Sequence, residues 1–105
     1  MSATSVQKAV AVCFVSPKSY PLFNDAVTSV FGGAEVDAYL LATELARDAR
    51  FSVSVIAADY GQAAIEEREG VRIIKGLNFD RSGLINAFGL WSAMNASGAQ
   101  VFFLE

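Results

Sequence analysis

Histidine is absent from this 105-residue chain, and Cys13 is its single cysteine. Without histidine the chain cannot form a Ser-His-Asp triad, a Cys-His pair or a histidine metal site, and one cysteine cannot form an intramolecular disulfide. We therefore predict no metal site, no cofactor and no independent acid–base catalysis near neutral pH. Cys13 lies inside an apolar run, so we interpret it as a buried core residue.

Positive charge and long apolar segments are also scarce. The formal net charge is −3, so the chain lacks the basic excess that nucleic-acid-binding proteins show. The first apolar run, residues 9–15, is far shorter than the roughly 20 residues of a membrane-spanning helix, and no signal-peptide pattern precedes it. We predict a cytoplasmic protein with no nucleic-acid partner, located in the cytosol or peripherally at the cytoplasmic face of a membrane.

Short apolar runs predict β-strands, and longer periodic segments predict helices. The strands are predicted at residues 9–15, 52–58, 71–75 and 101–104. In residues 34–50 apolar side chains recur every three or four positions, which predicts the first long helix. The alternation of strands and helices predicts an α/β domain over residues 1–105, with a Rossmann-like parallel sheet, helices on both faces and the order β-α-β-β-α-β.

A second long helix is predicted from Ser82 to Asn95. Ser82 is a suitable N-cap, and Gly98 is well placed to terminate the helix. Its apolar stripe consists of Leu84, Ile85, Phe88, Trp91 and Met94. We expect this stripe to pack on the sheet, with the Trp91 ring enclosed.

The remaining segments give weaker patterns. Residues 20–31 predict a loop with a short helix, and the charged residues 63–70 predict a solvated turn or helix end. The mixed pattern of residues 71–75 indicates an edge strand. A buried strand at residues 101–104 requires a covering helix, so we expect the domain to be incomplete and to continue in a longer protein.

The chemical signal lies where two glycines precede the first long helix. Gly32 and Gly33, with Ala34 as neighbour, follow the first strand, and open α/β sheets bind ligands at the carboxyl ends of their strands. Backbone N–H groups at a helix N-terminus attract anions, and glycine lets a ligand approach closely. These residues indicate a phosphate site, although a plain Gly-Gly turn has the same sequence.

Three consecutive segments resemble the opening of the family-four retaining glycosyltransferases, which have the GT-B fold. They are Gly32-Gly33-Ala34-Glu35, Leu41-Ala42-Thr43-Glu44-Leu45-Ala46 and Phe51-Ser52-Val53-Ser54-Val55-Ile56. That family has a G-G-[AS]-E loop, a helix with an L-A-x-x-L-like pattern and a strand of the type H-x-V-x-V-x-[AT]. With weaker similarity at residues 69–73 and 98–103, the resemblance spans most of residues 9–105. The chain departs from the family at Phe51, where histidine is usual, and at Gln100, where aspartate is usual.

This resemblance implies the N-terminal, acceptor-side part of an enzyme that moves a sugar from a nucleotide-sugar donor to a sugar or lipid-linked acceptor. It also implies that Gly32, Gly33 and Ala34 lie near the donor phosphates. The family's C-terminal donor-binding domain and catalytic residues have no counterpart in this sequence. Catalytic residues are therefore unassigned, and we expect the chain alone to be inactive and to self-associate through its uncovered last strand.

Two other classes of function are compatible with the sequence. A dinucleotide-binding Rossmann module would use Asp59, at the end of the second strand, to bind a ribose, but no G-x-G-x-x-G follows the first strand. A non-enzymatic α/β binding or interaction module is consistent with the absence of histidine. A fluorescence titration with NADH would test the first class, and a longer reading frame without a second α/β domain would favour the second.

Overall fold

Five strands and three helices form an α/β fold in the computed structural model, which describes residues 9–25, 32–77 and 83–104. In chain order they are β1 (Val10–Val15), α1 (Tyr20–Phe23), α2 (Gly33–Ala46), β2 (Phe51–Ala58), β3 (Ile65–Arg68), β4 (Val71–Leu77), α3 (Gly83–Ser97) and β5 (Val101–Leu104). The predicted strands are confirmed as β1, β2, β4 and β5, and the predicted long helices as α2 and α3. The short helix expected within residues 20–31 is α1, whereas residues 26–31 lie outside the described residues. No helix within the described ranges is long and apolar enough to span a membrane.

The strands form one mixed sheet in the order β3-β4-β2-β1-β5. β1 pairs in parallel with β2 and with β5, and β2 pairs in parallel with β4, whereas β3 is antiparallel to β4. The prediction of a parallel sheet is correct for the four predicted strands and wrong for β3. From β1 the chain proceeds outward through β2 to β4, and it then returns to place β5 on the other side of β1.

Apolar side chains fill both faces of the sheet. On one face, Phe14 of β1 packs with Ala38 and Ala42 of α2 in a buried cluster. On the other face, Cys13 of β1 packs with Ala93 of α3. Because successive side chains of a strand point to opposite faces, the two long helices cover opposite faces of the sheet, as the sequence predicts.

The charged segment 63–70 corrects the prediction of a solvated turn or helix end, because it contains β3 and forms a hairpin with β4. The hairpin loop is Glu69-Gly70, with φ of 53° and 79°. Two positive φ values in a two-residue loop match the twist of the paired strands, and glycine adopts such a conformation without steric cost. β4 is therefore an internal strand, so the prediction of an edge strand at this position is also wrong.

Small side chains, and not Trp91, bring α3 onto the sheet. Ala93 and Ser97 are buried, and a Cβ atom added at Gly89 would lie 2.8 Å from the carbonyl oxygen of Gly76 in β4. These helix positions recur every four residues and form one face. Trp91 is 61% exposed, so the prediction that its ring is enclosed is wrong. The close approach of the two backbones leaves no space between them for a large ring.

The C-terminal end of α3 is closed by a glycine and an arginine. Gly98 follows the helix with φ of +64°, which confirms its predicted role as terminator. The Arg72 guanidinium donates hydrogen bonds to the carbonyl oxygens of Ala96 and Ser97. Met94 packs partly buried against the sheet, as expected. The side chains of three further predicted contact residues lie outside those that the structure describes: Leu84, Ile85 and Phe88.

Helix α2 ends earlier than predicted, at Ala46 and not at Arg50. The cause is Asp48, whose carboxylate accepts hydrogen bonds from the backbone N–H and the guanidinium of Arg50. Aspartate side chains that bond to the backbone two residues on stabilise turns in competition with helix. The turn leads directly into β2.

Candidate functional site

A groove of about 230 Å³ lies where the strand order reverses, between β1 and β5. Residues of β1, α2 and β5 line it, including Val15, Ala34 and Leu104. At its base the rings of Phe14 and Phe103 are stacked, with centroids 5.0 Å apart. Because β1 and β5 are parallel, their carboxyl ends lie at the same end of the sheet. Open α/β sheets bind ligands at this carboxyl end of their strands.

The N-terminus of α2 lies beside this groove. Gly32 is the N-cap, and the first intrahelical hydrogen bond runs from the Val36 N–H to the Gly32 carbonyl oxygen, at 3.3 Å. The N–H groups of Gly33, Ala34 and Glu35 precede that bond and have no acceptor within the helix. With the positive end of the helix dipole, they form an arrangement that attracts an anion. Ala34 also lines the groove, which locates these groups next to it.

The backbone does not require glycine at either position of the pair. Gly32 has φ of −104°, and neither glycine is among the residues with positive φ. A Cβ atom added at Gly33 would meet no atom within 4 Å, and one added at Gly32 would meet only the Glu35 carboxylate, at 3.8 Å. Both residues are exposed. Among the residues that the structure describes, none therefore blocks the space above the helix N-terminus.

Charged residues of both signs occur on the segments at this end of the sheet. Glu35 lies in the first turn of α2, and Asp37 lines the groove. Lys18 follows the carboxyl end of β1 and is exposed. A phosphate here would depend mainly on backbone N–H groups, because the two carboxylates repel it. The same carboxylates can accept hydrogen bonds from hydroxyl groups such as those of a sugar.

Asp59, the residue considered for ribose binding, is occupied within its own turn. Its Oδ1 accepts a hydrogen bond from the Gly61 N–H at 2.8 Å and lies 3.7 Å from Nζ of Lys75. Lys75 also donates to the carbonyl oxygen of Gln62. These contacts order the segment between β2 and β3, so Asp59 has a structural role in this turn.

Tyr20 and Glu66 form a polar cluster that the sequence patterns do not predict. The Tyr20 hydroxyl donates to Glu66 Oε1 at 2.7 Å, and Arg68 Nε donates to the same oxygen at 3.0 Å. The hydroxyl of Tyr20 and then the guanidinium of Arg68 hold the pKa of Glu66 below its usual range. A carboxyl with a lowered pKa is ionised at neutral pH and is a poor general acid. The cluster joins α1 to β3, and no local sequence signal marks a pair so far apart in the chain.

Cys13 is buried in β1, as expected for a core residue. Burial raises the pKa of its thiol to about 11, so the thiol is protonated and weakly nucleophilic at neutral pH. Among the described residues, no three His, Cys, Asp or Glu side chains are grouped so that they could hold a metal ion. The groove offers the Asp37 carboxylate and apolar side chains, and the helix N-terminus beside it adds backbone donors and the Glu35 carboxylate.

Comparisons of the chain with protein-family models, with curated proteins and with solved structures found no match.

Proposed function

We propose that this chain takes part in glycosyl transfer from a nucleotide-sugar donor, with the donor phosphates bound at Gly32, Gly33 and Ala34. It would be the N-terminal part of a glycosyltransferase, as its resemblance to the family-four enzymes implies. The proposal includes a sugar or lipid-linked acceptor and a cytoplasmic location. The observation that carries it is the open, glycine-lined N-terminus of α2 beside the groove between β1 and β5.

The order of the parallel strands supports a nucleotide-type ligand. Read across the sheet, they run β4-β2-β1-β5, which is the order of the first four strands in Rossmann-type folds. In such sheets the phosphates lie at the N-terminus of the helix that follows the first strand. Helix α2 is the long helix that follows β1 and leads to β2.

The glycine pair supports the proposal because the fold itself does not explain it. Glycine in a turn is usually explained by positive φ or by a close neighbour, and neither applies at Gly33. Glycine also lacks the stabilising side-chain cap that Ser, Thr, Asp or Asn would supply at Gly32. Close approach of a ligand to the backbone N–H groups accounts for both residues.

In this proposal the residues of the chain bind and orient the donor and do not act on protons. The N–H groups of Gly33, Ala34 and Glu35 hold the phosphates, which become the leaving group of the transfer. Hydrogen-bond donors aimed at a developing negative charge stabilise it without reorganisation. Asp37 is placed to accept a hydrogen bond from a ligand hydroxyl within the groove. We expect no turnover by the 105-residue chain alone, because transfer in the enzymes that it resembles needs the donor held by one domain and the acceptor held by the other.

A binding titration of the 105-residue chain tests the proposal. The probes are UDP-glucose, UDP, NADH and uridine, followed by changes in amide chemical shifts and in melting temperature. We expect the diphosphates to shift the amides of residues 33–35, and uridine without a phosphate to leave them unchanged. A preference for NADH would support the dinucleotide-binding alternative, against which the occupied carboxylate of Asp59 argues.

The variant for this test is Gly33→Val, with Ser52→Val as its matched control. Gly33 has free space for a side chain, so the variant should fold normally and lose diphosphate binding. Ser52 is exposed near the amino-terminal end of β2, at the end of the sheet opposite the groove. Its replacement should therefore leave binding unchanged. Unchanged binding by folded Gly33→Val, or no diphosphate binding by the wild type, would refute the phosphate site. Product formation by the chain alone would contradict the expected inactivity.

A further inference from the structure

We draw no further inference here: the strongest candidate, the surface patch on the outward side of α2 where Leu40 and Leu41 are exposed beside Asp37 and Glu44, carries none because nothing in the structure shows what covers it.

Discussion

Tyr20 and Glu66 are joined by a hydrogen bond of 2.7 Å between the phenol hydroxyl and Oε1 of the carboxylate. Tyr20 is only 1% exposed, and its ring stacks on that of Tyr60. The bond links α1, which follows the first strand, to β3 at the far edge of the sheet. It fixes an edge strand whose own sequence has little tendency to form a strand.

Removal of this hydroxyl in Tyr20→Phe should destabilise the fold. We expect a loss of about 1–2 kcal/mol in the free energy of unfolding, because Glu66 and Asn24 both lose a hydrogen-bond partner in a partly buried site. Urea denaturation measures the difference. Tyr39→Phe is the control, since its hydroxyl bonds to Glu69 at the surface and its loss should cost less than about 0.5 kcal/mol. Equal effects of the two variants would contradict this account.

The same contact predicts how stability depends on pH. The pKa of Glu66 is lowered in the folded chain, chiefly by the Tyr20 hydroxyl. The contact therefore contributes stability above the unfolded pKa of glutamate, about 4.3, and that contribution is lost as the pH falls through the folded pKa. The difference in stability between wild type and Tyr20→Phe should narrow below about pH 4. A constant difference between pH 7 and pH 3 would show that the carboxylate is not the relevant partner.

Gly89→Ala should weaken the packing of α3 on β4. The added Cβ atom would lie 2.8 Å from the Gly76 carbonyl oxygen, so the helix must move outward. We expect a net loss of about 1–2 kcal/mol, because the steric cost exceeds the higher helix propensity of alanine. Gly33→Ala, at a helix position with nothing within 4 Å, is the control and should be nearly neutral in thermal denaturation. Wild-type stability of Gly89→Ala would mean that α3 can shift without cost.

Trp91→Ala should have little effect on the stability of the single chain. The ring is 61% exposed, and replacements at such positions usually change the free energy of unfolding by less than about 1 kcal/mol. Met94→Ala should cost more, because Met94 packs against the buried cluster on the α3 face of the sheet. Urea denaturation measures both differences. A loss above about 3 kcal/mol for Trp91→Ala would indicate an enclosed ring.

The sequence predicts the four parallel strands because each contains a short run of β-branched or aromatic apolar residues, which needs no tertiary information to recognise. β3 escapes prediction because Glu66, Glu67 and Arg68 favour strand only through contacts with β4 and with Tyr20. The Glu69-Gly70 loop is the local signal that could have revealed the hairpin. Strand formation in β3 is therefore decided by tertiary contacts.

The position of Trp91 on α3 differs from the prediction for another reason. Helical periodicity shows which side chains share a face, but not which face meets the sheet. The prediction places the Trp91 ring against the sheet, whereas Gly89, Ala93 and Ser97 make the close approach and Trp91 faces outward. A stripe of small residues at intervals of four was the signal for close backbone packing. For the candidate site, the position of Gly32 and Gly33 follows from the sequence, but the groove formed with Phe103 and Leu104 depends on the strand order.

The pairing of β5 with β1 has a consequence for the kinetics of folding. Val12 is a direct partner of Val101, so strands separated by roughly ninety residues must meet before this side of β1 is paired. During synthesis, β1, β2 and β4 emerge first and can associate while the β5 side of β1 is still bare. A nascent chain therefore exposes one edge of the internal strand β1 until β5 leaves the ribosome, and this interval is when it would be most dependent on chaperones.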